Sequence, residues 1–306
     1  MKVLVATEKP FAGEAVKGIR KELENAGYEL SLLEAYTDKK ELLSAVKEAD
    51  ALIVRSDIVD TGVLDAATRL KIVVRAGAGY DNIDLEACTA RDIVAMNTPG
   101  QNSNAVAELA FGMMVYQARG GFNGKPGTEL RGKSLGIHAY GNVGKYVAKI
   151  ARGFGMEIFA FDPFVDDKII EKDGIKALKT VEDLYSNCQY VSLHIPANNQ
   201  TKASIGYKLL SMMPGNATLV NTARKEVINE QELMKVFAER DDFSYLSDIA
   251  PDCSDDIITK YPGRYFFTPK KMGAQTAEAN INAGIAAASQ IIAFLEEGDE
   301  TFRLNS

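Results

Sequence analysis

Between Ser134 and Asp162 the chain carries residues suited to holding a dinucleotide. The segment Gly136-Ile137-His138-Ala139-Tyr140-Gly141-Asn142-Val143-Gly144 follows an apolar run and opens an amphipathic one. Gly-x-Gly-x-x-Gly in that setting is a dinucleotide fingerprint. Its first glycine is Ala139 here, which costs something only if the turn needs a positive φ. Gly141 lets backbone approach a pyrophosphate, and Gly144 lets helix and strand pack closely. Together with Asn142 and Val143 they open a helix whose free N–H groups and dipole suit phosphate. Asp162 stands 18 residues beyond Gly144. A carboxylate there accepts hydrogen bonds from ribose hydroxyls and repels a 2′-phosphate, which favours NAD over NADP. The plain structural alternative is a glycine turn with an incidental aspartate.

Acid–base chemistry is bounded by a count. The chain has only two histidines, His138 and His194, so a histidine mechanism must use one of them. His138 lies in the fingerprint turn, where a local strand-end contact is the simpler role. The three cysteines, Cys88, Cys188 and Cys253, are scattered and odd in number, which fits reduced thiols better than a disulfide framework. They have no metal spacing. Asp252, Asp255 and Asp256 read as a solvated acidic loop rather than a cation site, so no metal is expected.

The elements that must position these residues alternate. Short β-branched runs recur at Lys2–Val5, Ala51–Val54, Lys71–Val74 and Ile93–Ala95, separated by helical stretches such as Glu14–Ala26 and Lys39–Glu48. That alternation argues for parallel α/β architecture. A helix runs from about Ser103 to Ala118, and the glycine-rich Arg119–Gly127 reads as the clearest linker. A second series follows, with strands at Ser134–Ala139, Glu157–Phe161, Tyr190–Leu193, Ala217–Val220, Tyr245–Asp248 and Tyr265–Thr268. An Ala- and Ile-rich helix over about Thr276–Glu297 closes it.

With 306 residues, about two domains are expected. Hydrophobic residues are 46% and charged residues 25%, an ordinary globular balance that excludes disordered and fibrous classes. A formal net charge of −7 argues against generic binding to nucleic acid or anionic membrane. No apolar run reaches the ~18 residues of a membrane helix. The N-terminal apolar run is too brief for a signal peptide and reads as a first strand, so a cytoplasmic protein is expected.

From about Ala51 to Ala288 the sequence resembles the D-2-hydroxyacid dehydrogenases. The segments that carry the resemblance are Leu70–Asp84, Asn97–Ser103 followed by Ala107-Glu108, Leu193-His194-Ile195-Pro196 with Thr201, and Val220–Arg224. The resemblance implies that Gly77, Ala78 and Gly79 bind the substrate carboxylate through backbone N–H groups, with Asn102. It implies that Arg224 binds the carboxylate and polarises the C2 oxygen, as a planar guanidinium can. It gives Asp248 and the carbonyls near Thr222 and Ala223 to the nicotinamide carboxamide. His194, Pro196, Thr201 and Gly273 go to the cofactor site. Arg55, Ser56 and Arg75 would face the substrate's far end, where a phosphate needs cations. A surface salt bridge is the competing role for Arg55.

One position departs from the family. Its acid–base histidine follows Thr-Pro near the C-terminus and is oriented by a glutamate. This chain reads Phe267-Thr268-Pro269-Lys270-Lys271-Met272-Gly273, and the glutamate is absent as well. Counting from Pro269 puts Lys270 in the histidine's place; counting back from Thr276 puts Lys271 there. The reading adopts Lys270, with the pair left open. A lysine whose pKa is lowered by burial and nearby cations is a workable base and needs no tautomer-fixing partner.

The resulting expectation is two doubly wound α/β domains. A flavodoxin-like substrate domain spans 1–98 plus 279–306, a Rossmann NAD domain spans 99–278, and the active site lies in the cleft between them. No counterpart of the C-terminal regulatory domain of longer relatives is expected. The expected reaction is NAD-dependent oxidation of 3-phosphoglycerate to 3-phosphohydroxypyruvate, the entry to serine biosynthesis, in a homodimer. The alternatives are a dehydrogenase of glycerate, hydroxypyruvate or lactate, and a catalytically silent NAD-binding regulator.

Overall fold

The structure is a computed structural model describing residues 1–306. The chain divides into two compact units, residues 1–102 with 275–306, and residues 103–274. The sequence reading put these boundaries at 98/99 and 278/279. The division instead falls at the start of one helix, Ser103, and just before Thr276, whose hydroxyl caps the last helix. The glycine-rich 119–127 segment does not divide the chain. It lies inside the second unit, joining a helix to a strand of the same body.

The first unit runs β1 (Lys2–Thr7), α1 (Gly13–Asn25), β2 (Glu29–Glu34), α2 (Lys39–Ala45), β3 (Ala51–Val54), α3 (Thr61–Ala66), β4 (Ile72–Arg75), α4 (Leu85–Thr89) and β5 (Val94–Asn97). Its five strands are all parallel in the order β2-β1-β3-β4-β5, the flavodoxin-like order. β2 escaped the sequence reading because its alternation is weak and no residue in it is fully buried. β3 is buried at every position, as a strand covered on both faces must be.

The second unit runs α5 (Ser103–Ala118), β6 (Ser134–His138), α6 (Asn142–Gly153), β7 (Glu157–Phe161), α7 (Asp167–Lys172), β8 (Lys176–Ala177), α8 (Val181–Asn187), β9 (Tyr190–Leu193), α9 (Tyr207–Met212), β10 (Thr218–Asn221), α10 (Glu230–Glu239), β11 (Ser244–Ser247), α11 (Ser254–Lys260) and β12 (Tyr265–Phe267). Its seven parallel strands are ordered β12-β11-β10-β9-β6-β7-β8. The order reverses between β6 and β9, which is the switch point where a doubly wound sheet binds its ligand.

The last helix, α12 (Ala277–Glu297), returns to the first unit and packs on α1. Beyond it, Leu304 N–H donates to the Ala95 carbonyl at 2.8 Å, and the Asn305 amide brackets β5. No helix is long and apolar enough to cross a membrane.

Candidate functional site

In the second unit β6 ends in a tight turn before α6. Ala139 has φ +81°, so this turn does demand the left-handed region that a glycine would occupy without strain. A Cβ on Gly144 would lie 2.4 Å from the Ala139 carbonyl oxygen, so helix and strand approach here only because that residue has no side chain. Gly141 caps α6 with no side-chain hydrogen bond, and a Cβ there would meet nothing within 4 Å. The first-turn N–H groups of α6 have no intrahelical acceptors, so they are available to an anion. Asp162, just past β7, accepts from Tyr140 N at 2.8 Å and Phe164 N at 2.9 Å. It therefore ties the glycine turn to the neighbouring strand end and keeps one lone pair per oxygen for another donor.

Both histidines lie on this side of the sheet, at the switch point. His138 ends β6, buried, with Nδ1 3.3 Å from the Tyr185 hydroxyl. His194 follows β9, with Nε2 3.0 Å from Ser192 Oγ and Nδ1 3.3 Å from Thr222 Oγ1. Burial pushes His138 down to about 4. Burial, and then the neighbouring His138, pushes His194 down to about 3. Neither carries charge at neutral pH. The cysteines are equally quiet: burial raises Cys88 to about 11 and Cys188 and Cys253 to about 12. Pro196 is exposed, and the Thr201 hydroxyl accepts from Asn198 N at 2.9 Å and donates to the Pro196 carbonyl, so it shapes its own turn.

Beyond β10 and β11 a second group assembles. Asn221 closes β10 and bonds the Arg224 carbonyl through Nδ2 at 3.1 Å and Ala223 N through Oδ1 at 2.9 Å. This fixes the turn that presents Arg224. Lys271 Nζ donates to the Ala223 carbonyl at 3.0 Å. Desolvation of that ammonium, then the charge of Arg224, lowers the Lys271 pKa; Asp248 and Glu226 act the other way. The side chain keeps solvent access along its length, but its charged end lies down against the β10 turn. Lys270 is exposed and makes no hydrogen bond or ion pair. The structure thus separates the two lysines, and it is Lys271, not Lys270, that joins Arg224. Asp248 is buried, and its carboxylate bonds the lysine loop: Thr268 Oγ1 at 3.1 Å, Met272 N at 2.7 Å and Gly273 N at 2.8 Å.

In the first unit the loop after β4 gathers the residues assigned to substrate. Arg75 Nε donates to the Arg55 carbonyl at 2.9 Å, and the Arg75 guanidinium covers Gly77, where a Cβ would lie 1.5 Å from Nη1. The Gly77 N–H already donates to the Arg75 carbonyl at 2.9 Å. Of the three N–H groups expected to face a carboxylate, this one is spent within the turn, which leaves Ala78 and Gly79. Thr98 N donates to the Gly77 carbonyl at 3.0 Å and Asn97 Nδ2 to the Ala78 carbonyl at 2.6 Å, so the loop's acceptor side is held by the end of β5.

Arg55 forms no surface salt bridge. Its guanidinium donates to the Lys9 carbonyl at 3.0 Å, the Pro10 carbonyl at 3.1 Å and Asn280 Oδ1 at 2.7 Å, and it stands 5.1 Å over the Phe11 ring. Two of its five donors remain. Ser56 beside it is exposed, and Asn102 makes no side-chain hydrogen bond. The sequence reading missed Asp57, a buried carboxylate that accepts from Glu8 N at 2.7 Å, Tyr36 Oη at 2.9 Å and Arg55 N at 3.2 Å. An aspartate two residues after a strand-end arginine was the available signal.

The family described as D-isomer specific 2-hydroxyacid dehydrogenase, catalytic domain, matches residues 7–305. D-3-phosphoglycerate dehydrogenase of Methanocaldococcus jannaschii is 35% identical over 270 residues, 83% of this chain and 51% of the relative. Hydroxypyruvate reductase of Thermotoga maritima is 34% identical over 285 residues, 86% of this chain and 90% of the relative. The chain spans about half the length of the first curated relatives it matches. Among solved structures, NAD+-bound 3-phosphoglycerate dehydrogenase from Entamoeba histolytica superposes with a TM-score of 0.85 at 48% identity, covering 100% of this chain and 99% of the other.

Proposed function

The chain belongs to the D-isomer specific 2-hydroxyacid dehydrogenase family, and from that footing we propose that it oxidises 3-phosphoglycerate to 3-phosphohydroxypyruvate with NAD, the first step of serine biosynthesis. The observation that carries this reading is the pairing of Lys271 with Arg224 beyond β10, in a unit whose two histidines are held neutral by desolvation. The likeness to an NAD+-bound phosphoglycerate dehydrogenase over nearly the whole of both chains supports it.

Gly141, Asn142, Val143 and Gly144 would hold the pyrophosphate, and Asp162 the ribose. His194, Pro196, Thr201, Thr222, Ala223, Asp248 and Gly273 would flank the nicotinamide half. These residues would hold a dinucleotide whose nicotinamide would supply the acceptor for the C2 hydride. Arg224 binds the substrate carboxylate and polarises the C2 oxygen, which places its charge where negative charge develops. The neutral Lys271 amine accepts the hydroxyl proton at Nζ as C2 is oxidised; in the reverse direction the ammonium returns it. Because its pKa is lowered, the amine form is available at lower pH than for an ordinary lysine, and oxidation rises with pH through that value. Ala78 and Gly79 N–H groups receive the carboxylate, with Asn102 beside them. Arg75, Arg55 and Ser56 face the phosphate. A homodimer in the cytoplasm belongs to the same reading.

The test is a substrate panel with purified protein, NAD and NADP. NADH should form from 3-phosphoglycerate, with kcat/KM well above that for glycerate or lactate, and NADP should serve poorly. A ratio near one would assign a non-phosphorylated acid instead. NAD binding with no turnover of any 2-hydroxy acid would overturn the reading in favour of a regulator.

A further inference from the structure

The family's orienting glutamate has no counterpart in this sequence, yet Lys271 occupies a defined place. Its neighbours show why. Lys271 lies on the 268–273 loop that follows β12, and every bond the Asp248 carboxylate makes is to that loop. One oxygen accepts from the Thr268 hydroxyl at 3.1 Å and from Met272 N at 2.7 Å; the other accepts from Gly273 N at 2.8 Å. These partners lie three residues before the lysine and one and two residues after it. Asp248 is itself fixed: it is 2% exposed, it follows buried β11, and its N–H donates to the Asn221 carbonyl at 2.9 Å. Asn221 in turn holds the turn carrying Ala223 and Arg224. Acceptor turn and lysine loop are thus referred to one residue. Gly273 completes the arrangement, since a Cβ there would lie 2.8 Å from Asp248 Oδ2 and 3.2 Å from Val106 Cγ2.

We propose that Asp248 is the positioning residue for Lys271: its carboxylate holds the loop on both sides of the lysine, by the Thr268 hydroxyl before it and the Met272 and Gly273 N–H groups after it, and so seats the amine beside Arg224. An imidazole must be oriented by a bond to its own ring. An amine on a flexible four-carbon stem has no tautomer to fix and needs its root held. A carboxylate acting through backbone N–H groups supplies that, with the short charge-assisted bonds that resist loop movement. Arg224, Glu226 and Asp248 are the charged groups facing the ammonium, and the clamp decides how strongly it feels them.

This inference rests on the proposed role of Lys271, so its test has one arm that needs no activity. Timed acylation of the folded protein across pH, read by mass spectrometry, gives the pH at which Lys271 loses its proton. Gly273→Ala and Thr268→Val keep the Asp248 charge and loosen the clamp. Both should move the Lys271 midpoint up towards the ordinary lysine value, Gly273→Ala the further. Unmoved midpoints in the two folded variants would overturn the clamp even if the protein proves to be no dehydrogenase. The kinetic arm is a double-mutant cycle. Asp248→Asn should cut kcat by about tenfold or more, and Asp248→Asn/Lys271→Ala should be no slower than Lys271→Ala alone. Losses that multiply would assign Asp248 to the cofactor alone. No turnover by the wild type would sink the proposed function and leave the acylation result standing.

Discussion

The loop after β4 and the loop after β6 both leave a buried parallel strand on a short glycine-bearing turn, yet a side chain fills the first while the second is open at Gly141. After β4, the Arg75 guanidinium lies over Gly77, the Gly77 N–H is spent on the Arg75 carbonyl, and the loop's carbonyls are bonded from the end of β5. After β6, no atom stands within 4 Å of where a Gly141 side chain would begin, and the α6 N-terminus has no side-chain cap. The filled loop presents cations on fixed stems, which suits a small anion. The empty loop presents only backbone N–H groups, which suits a larger ligand that brings its own surface. Within the second unit, Lys271 donates to the Ala223 carbonyl in the turn after β10.

Predictions that break or sharpen this contrast follow in order of size. Lys271→Ala should lower kcat by roughly 10²–10⁴, the usual value of a lost acid–base group. Lys270→Ala should stay within about twofold, and a steady-state comparison of the two decides between them. Next comes acid sensitivity confined to the second unit. Folded His138 and His194 titrate near 4 and 3, below the unfolded value of 6.5. The unfolded chain therefore binds protons first as pH falls. The stability from neutral histidines is intact above 6.5 and declines below it, by about 3–4 kcal/mol between pH 7 and 5. Hydrogen exchange should show β6 and β9 amides losing protection at pH 5 while β1 and β3 keep theirs. Equal loss in both units would remove the histidines as the cause.

A glycine pair tests the filled and empty loops directly. Gly77→Ala, at φ +145° with a guanidinium in the way, should cost about 2–3 kcal/mol in chemical denaturation. Gly141→Ala should leave stability within about 0.5 kcal/mol but weaken NAD binding about tenfold by calorimetry. The smallest effect is a gain. Ala139→Gly should relieve the strain at φ +81° and raise stability by about 0.5–1 kcal/mol, after the entropic penalty of glycine.

Much of the frame was legible in the residues. β3, β4 and β6 are short apolar runs bounded by turns, and periodicity finds such strands. The fingerprint was legible because Gly141, Gly144 and Asp162 are constrained by local geometry. β2 was not, since it is only partly buried and carries a helix-like mixture of residues. Glycine richness overstated a linker: the 119–127 segment joins elements within one unit. A surface salt bridge competed for Arg55 because the carbonyls of Lys9 and Pro10 and the amide of Asn280 meet it only after folding.

The chain by itself determined that only two histidines are present, that a glycine turn followed by Asp162 opens the second sheet, and that two lysines follow Thr268-Pro269. Residue type and spacing suffice for these, because they depend on what a side chain can do and on contacts within a few positions. Which lysine meets the turn after β10 was beyond it. Pro269 and Thr276 give two registers one residue apart, and local propensity prefers neither. The register is set by Met272 N and Gly273 N bonding a buried carboxylate 24 and 25 positions away, and by a carbonyl 48 positions away that receives Nζ. Contacts of that separation exist only once β10, β11 and β12 lie side by side.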